Sequence, residues 1–364
     1  MEQRKFNGDR LRNARIYNGI SLTDLATQAD IKKQSISLYE NGKNVPDHEK
    51  VRVLARILGF PYDYFFQEDK IKAYTETTYF RSQATATKKD RAAQSVKLEF
   101  VAQMYETLWN YIDFPIYKDP KIDFIGFDDP LDCESQEAID EIAASKVREC
   151  WGVPSGPIKD LQYLLEQNGI LVTGFSIDED KIDAFSQRTI VDNADVFLIA
   201  VALGSRPECR LRFDMAHELG HIVLHPWSED IESLSKEEFK ARERQANMFA
   251  SAFLLPRDSF SKDVSQYPTD LKFYLFLKKK WKVSVQAMMY RARQLDIISA
   301  NQYQYMMRQV SKNGWRTKEP DDIPGALNES IFQGAIDLLF DNNILTPRSL
   351  LSDFKRHGVT LYPG

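Results

Sequence analysis

Two histidines four residues apart, His217 and His221, enclose a glutamate in the run Arg212-Phe-Asp-Met-Ala-His-Glu-Leu-Gly-His-Ile-Val-Leu-His225. On an α-helix, positions i and i+4 lie on one face a turn apart, so both imidazoles can turn a ring nitrogen toward one metal ion. Glu218, next to them, is placed to take a proton from a water polarised at that ion. Phe213, Ala216, Leu219, Ile222 and Val223 are the apolar positions that would bury the rest of the helix. The chemistry this predicts is that of one zinc ion. Alone, a five-residue pattern this loose recurs in unrelated chains and carries little weight.

A third ligand further along strengthens it. The stretch from Arg242 to Ala250 has the pattern of a second amphipathic helix, with Ala246, Phe249, Ala250, Phe253 and Leu254 on its buried side. Glu243 lies near that stripe, where a carboxylate is costly unless it is paired or bound to a cation. Two histidines and one glutamate leave a fourth tetrahedral position open, the catalytic rather than the structural arrangement. Asn247, one turn after Glu243, is spaced to orient a ligand histidine from behind. Without the upstream motif, Glu243 reads as a solvated charge among Lys240, Arg242 and Arg244.

His225 is not expected to be a ligand. A continuing helix carries it about 6 Å beyond His221, and Pro226 then ends the helix. The zinc class with a third histidine six residues on needs a Gly turn, and Leu224 and Trp227 stand there instead. His225 is expected at the helix end, behind the ligands or lining a cleft. The oxyanion-stabilising group is not legible, with His225, Arg212 and Tyr290 as candidates.

These residues carry a resemblance. Arg212 to His221, followed by Glu243-Arg-Gln-Ala-Asn-Met-Phe-Ala-Ser-Ala-Phe-Leu-Leu-Pro256, resembles the ImmA/IrrE family of zinc metallopeptidases. The resemblance implies zinc ligands at His217, His221 and Glu243 and a general base at Glu218. Asp214 stands where many members carry Thr or Ser, and Ser251-Ala252 where Ala-Glu is common; neither departure touches a ligand.

The elements that hold this site must come from a chain of 364 residues, enough for two or three domains. A 43% hydrophobic content supports real cores, and a net charge of −5 argues against a chain that coats nucleic acid all over. Cys133, Cys150 and Cys209 form no CxxC pair and read as reduced thiols. The first residues hold no apolar leader and no stretch is long enough to span a bilayer, so a cytoplasmic protein without membrane partners is expected.

Residues 1–68 read as a compact helical unit. Ser21 to Asp24 forms a capping-box-like helix start, Gly42 stops a third helix, and Asp47 caps a fourth carrying Val51, Leu54, Ile57 and Leu58. Two short helices around a tight turn suggest a helix-turn-helix. Its second helix offers Lys32, Lys33 and Lys43 to phosphates, Gln34 and Ser35 to base edges, and Ser37 and Asn41 beside them. Ser21 and Thr23, opening the preceding helix, complete the expected DNA contacts. A protein-interaction domain with a polar face is the competing reading, since the basic bias is modest. Ser37-Leu-Tyr-Glu-Asn-Gly-Lys-Asn-Val-Pro46 resembles the recognition-helix end of the phage-repressor (Cro/CI, XRE) family. That resemblance implies a homodimer on paired half-sites of double-stranded DNA.

The expected fold is α+β and mostly helical. The expected units are an all-α helix-turn-helix domain (1–68), a linker and long helix (69–135), a zincin-like peptidase core (136–258), a helical extension (259–320) and a small helical segment (321–364). Within the core, strands near 169–173, 182–186 and 195–201 are expected to form a small antiparallel sheet, with Ile182 to Ser186 as a substrate-binding edge. The long helix, from about Asp90 to Ile112, is expected to carry Val96, Phe100, Met104, Leu108 and Tyr111 along one side. Arg81, Lys88, Lys89 and Arg91 read as a solvated linker cluster, Lys278 to Lys280 as surface charge, and Met288, Met289, Met306 and Met307 as core filling. Together these imply a DNA-binding regulator with a zinc endopeptidase domain that cleaves itself or a partner repressor. The alternatives are a factor whose peptidase-like domain only senses zinc or a ligand, and an antitoxin-like repressor.

Overall fold

The computed structural model describes residues 5–67, 77–80, 88–122, 133–176, 183–191, 194–204, 206–227 and 234–356. The N-terminal unit packs α1 (Gly8–Tyr17), α2 (Leu22–Ala29), α3 (Lys33–Glu40) and α4 (His48–Leu58) around Leu11, Leu25, Ile36, Val51 and Leu54. Each boundary has a local cause. Ser21 and Asp47 accept hydrogen bonds from the backbone N–H groups of Asp24 and Lys50, and Gly59 ends α4 with φ 68°. The turn between α2 and α3 places its left-handed residue at Asp30 (φ 52°), directly after the buried Ala29. A 3₁₀ turn over Tyr62–Phe66 seals the bottom with Tyr64 and Phe65.

Strands β1 (Thr77–Phe80), β2 (Ile170–Ser176), β3 (Ala184–Val191) and β4 (Ala194–Leu203) form one sheet in the order β1-β3-β4-β2. It is mixed, not antiparallel as the sequence suggested: β2 runs parallel to β4, while β3 is antiparallel to both β4 and β1. The expected edge, Ile182 to Ser186, is also corrected. Ile182 lies outside the described residues, and Ala184, Phe185 and Ser186 open β3, an interior strand. From Val196 to Ala202 every residue of β4 is buried, as a strand covered on both faces requires.

On one face lie α6 (Cys133–Cys150), α7 (Leu161–Gln167), α8 (Glu208–Leu224) and α9 (Lys236–Leu254). Behind them sit α10 (Arg257–Val264), α11 (Leu271–Trp281), α12 (Val285–Gln294) and α13 (Ala300–Lys312). Ile170, Val172, Phe197, Ile199 and Val201 belong to this core. Leu171, Phe185, Val196, Leu198 and Ala200 point the other way, onto α5 (Lys88–Trp109), α14 (Ile331–Asp341) and α15 (Pro347–Arg356). The C-terminal helices therefore close the second face of the sheet.

Helix α5 is a wall shared by two cores. Leu98, Tyr105 and Leu108 join the sheet-side core, while Phe100 meets Tyr17, Phe60 and Tyr64 of the N-terminal unit. Tyr111, just past the end of the helix, is exposed and donates its hydroxyl to Asp353. Lys89 is exposed; Arg81 and the side chains of Lys88 and Arg91 fall outside the described residues. Lys278 is a further correction, being buried with its Nζ 3.0 Å from Glu319 and 2.5 Å from Asp322. Met288, Met289 and Met306 fill the core. Among the described residues no helix is long and apolar enough to cross a membrane.

Candidate metal centre and nucleic-acid face

Helix α8 carries His217, Glu218 and His221 on a segment buried from Asp214 to Ile222. It can approach α9 closely because Gly220 faces Ala246. A Cβ at Gly220 would sit 3.0 Å from Ala246 Cα and 3.2 Å from Phe249, so a larger residue would drive the helices apart. Helix α9 begins with a complete capping box between Ser235 and Glu238, and its apolar side, Ala246, Phe249, Ala250 and Phe253, locks into the core. Glu243 then arrives two turns into the helix, opposite the histidines.

The three groups converge. Nε2 of His217 and Nε2 of His221 are 3.1 Å apart. Glu243 Oε1 lies 3.2 Å from His221 Nε2, and Oε2 lies 3.5 Å from His217 Nε2. Burial raises the Glu243 carboxyl; imidazole N–H groups facing it would bring it down to about 2, and a cation at the same place would do that work once both Nε2 atoms are unprotonated.

What lies behind the histidines decides which nitrogen is available. His217 Nδ1 is 3.1 Å from Asn247 Oδ1, and Asn247 Nδ2 donates to the Glu243 carbonyl over 2.8 Å. An amide oxygen only accepts, so His217 Nδ1 carries the proton. His221 Nδ1 is 2.9 Å from His225 Nδ1, and His225 Nε2 is 3.0 Å from Gln245 Oε1. The same logic protonates His225 Nε2, makes its Nδ1 the acceptor, and puts the His221 proton on Nδ1. Burial, reinforced by His221, pushes His225 well below the ordinary histidine value, which keeps it neutral for this role. Both Nε2 atoms then present lone pairs to each other and to an ionised carboxylate. Such a cluster repels itself unless a cation sits among it. Ligand atoms bonded to one small ion at about 2.0–2.1 Å in a tetrahedral arrangement lie roughly 3.3 Å apart, close to all three separations here. The donor set fits a zinc-type ion.

Glu218 is fully buried, and Ser186 Oγ on β3 donates to its Oε2 over 2.6 Å. Sequence reasoning missed Ser186 as a site residue; its one available signal was its place in the strand expected beside the site. Arg212 is no oxyanion candidate, because its guanidinium donates to the carbonyls of Ile158 and Lys159. Tyr290 is about half exposed and faces Tyr303. Asp214 is buried beside Arg210, 3.2 Å away, and that arginine also pairs with Asp183.

In the N-terminal unit, Lys32, Lys33 and Gln34 stand exposed at the start of α3, with Ser35 and Ser37 half-buried along it. Asn41 and Lys43 are exposed past its end, and Asn41 Nδ2 donates to the Ser37 carbonyl over 2.6 Å. Thr23 is exposed on α2, while the Ser21 hydroxyl is engaged by Asp24. The polar face is held from behind by Arg15, which donates to both Glu40 oxygens at 2.6 and 2.9 Å.

Comparison with known proteins agrees with both units. Residues 166–293 match the peptidase family described as IrrE N-terminal-like domain, and residues 8–71 match the family described as helix-turn-helix domain. No curated protein matches the chain. Residues 8–71 therefore form an XRE-type helix-turn-helix domain and residues 166–293 an IrrE N-terminal-like peptidase-family domain, joined in one chain.

Proposed function

We propose that this chain is a DNA-bound regulator whose IrrE-like domain is a zinc-dependent endopeptidase, cutting itself or a repressor held at the same operator. The observation that carries this reading is the convergence of His217 Nε2, His221 Nε2 and the Glu243 carboxylate, with Asn247 and His225 standing behind the two histidines. These three residues would hold the ion. Zinc bound there would act as a Lewis acid, polarising a peptide carbonyl and acidifying a water. Glu218 takes the proton from the attacking water and hands it to the leaving amine. Ser186 orients the Glu218 carboxylate for that transfer. On the DNA side, Lys32, Lys33 and Lys43 meet phosphates, Gln34 and Ser35 read base edges, and two copies bind paired half-sites.

A second reading, a domain that senses zinc or a ligand without turnover, draws on the near-complete burial of His217, Glu218 and His221. The experiment that separates the two is native mass spectrometry of the wild type and Glu243→Ala, followed by a cleavage assay with Glu218→Gln. One zinc per wild-type chain, weakened in Glu243→Ala, with cleavage lost in a zinc-loaded Glu218→Gln protein, is the expected result. A wild type that refuses zinc sinks the peptidase reading and leaves a DNA-binding regulator whose second domain senses another ligand. Regulation that survives intact in Glu218→Gln favours the sensor.

A further inference from the structure

A cavity of about 630 Å³ lies on the face of the sheet opposite the metal cluster, between the N-terminal unit, α5 and strands β2 to β4. Its volume is that of a small-molecule site. Tyr17 and Phe60 come from the N-terminal unit, Phe100 and Val101 from α5, and Phe175 and Phe185 from the sheet. Four polar side chains break this apolar lining, Asn18, Gln94, Lys97 and Thr173, and the Asn18 amide already donates to the Ala14 and Leu58 carbonyls. Gln94 is nine-tenths buried, and its Oε1 has no hydrogen-bond partner among the described residues. One turn further along α5, Lys97 is half-buried with its Nζ 5.6 Å from the Tyr17 ring, and no described carboxylate pairs with it. Burial lowers the Lys97 pKa, a cost that a nearby anion would reverse.

We propose that this cavity binds a small amphipathic anion: an apolar, aromatic-sized body among the rings, an acidic head at Lys97 and a hydrogen-bond donor to Gln94 Oε1. Because its walls come from both units, occupancy changes how the DNA-binding helices sit against the sheet. The cavity also reaches the candidate active site through one strand. Phe185 lines it, while the next residue, Ser186, faces the other way and holds Glu218. A ligand pressing on Phe185 acts one residue from the group that orients the proposed base. This site stands independently of whether the domain cleaves peptides.

The test is a fluorescence titration of the full chain with 1-anilinonaphthalene-8-sulfonate, which carries an aromatic body, one sulfonate and one N–H donor. Saturable binding at one site per chain is expected, at least about tenfold weaker in Lys97→Met and lost in Val101→Trp, which fills the cavity. Thermal melts establish that each variant is folded. Lys97 is half-exposed, so Lys97→Met keeps the test decisive even where Val101→Trp does not fold. No saturable binding by the wild type overturns the proposal, as does unchanged affinity in a folded Lys97→Met protein.

Discussion

Ser186 Oγ donates to Glu218 Oε2 over 2.6 Å, so an interior strand of the sheet, and not only helix α8, fixes the carboxylate proposed as general base. Both groups are fully buried, where a hydrogen bond holds geometry more firmly than in water. Glu218→Gln is expected to lower turnover roughly 10²–10⁴-fold, the usual worth of a positioned base, with zinc content unchanged. Ser186→Ala is expected to lower kcat by about tenfold, or 1.4 kcal/mol of barrier, and leave KM in place. Single-turnover cleavage with metal analysis on the same samples checks both. A Ser186→Ala protein with wild-type kcat would show that the strand does not position the base.

The groups behind the histidines make a separate prediction. Asn247 and His225 stand behind His217 and His221, the proposed ligands, and fix their tautomers. Asn247→Ala and His225→Ala are each expected to weaken zinc binding about 10–100-fold, and Glu243→Ala by more. Competition against a chelator of known affinity measures this. If Asn247→Ala binds zinc as tightly as the wild type, the tautomer argument fails at His217.

How much of this was legible in the sequence follows from distance along the chain. His217 and His221 share a helical turn, and Asn247 follows Glu243 by one, so local periodicity relates them directly. The Ser186 contact joins residues 32 apart and depends on the strand order. That order depends on β2 pairing in parallel with β4, which no short pattern encodes. Lys278 was misread for the same reason. Beside Lys279 and Lys280 it reads as surface charge, while its partners Glu319 and Asp322 lie more than 40 residues downstream. Helix α10 went unrecognised because it is short and polar. Helix α13, inside the helical extension expected over 259–320, starts at a complete capping box between Ser299 and Gln302.

Glu166 gives a pH prediction. It is buried at the end of α7, and its Oε2 accepts from the backbone N–H of Ile331, the first residue of α14. Burial, only partly offset by that bond and by Gln162, raises its pKa from 4.5 to about 7. The folded state therefore holds a proton that the unfolded chain has lost. This contribution to stability is complete below about pH 4.5 and disappears as pH rises toward 7. Thermal melts of the wild type between pH 5 and pH 8 are expected to show a fall in Tm that is markedly smaller in Glu166→Gln, other groups titrating equally in both. Parallel slopes would mean that Glu166 ionises in the folded state much as it does in the unfolded chain.

On the DNA side, position in the recognition helix separates two kinds of contact. Lys33 stands exposed at the first residue of α3, suited to a phosphate, and Gln34 follows it, suited to a base edge. Lys33→Ala is expected to weaken binding to all sequences alike and reduce the slope of log K against log salt by about 1. Gln34→Ala is expected to cost about 1–3 kcal/mol at one base pair of the operator and leave the salt slope unchanged. Footprint-derived operators titrated at several salt concentrations distinguish the two.

The last prediction concerns what holds that helix in place. Glu40 ends α3 with a side chain only 6% exposed, and Arg15 of α1 grips both its oxygens. The same arginine donates to the Ile20 carbonyl over 3.0 Å, tying the α1–α2 connection to the end of the recognition helix. Removing one partner strands the other charge in a poorly solvated place, at a cost of about 3–5 kcal/mol for a buried pair. Glu40→Ala is therefore expected to destabilise the N-terminal unit and abolish DNA binding, although Glu40 touches no DNA in the proposed mode. The paired exchange Arg15→Met with Glu40→Leu restores an apolar contact, so it should recover most of the stability. Chemical denaturation followed through the N-terminal unit, with DNA binding in parallel, reads both effects. A stable, DNA-binding Glu40→Ala protein would show that the pair is dispensable to the presentation of α3.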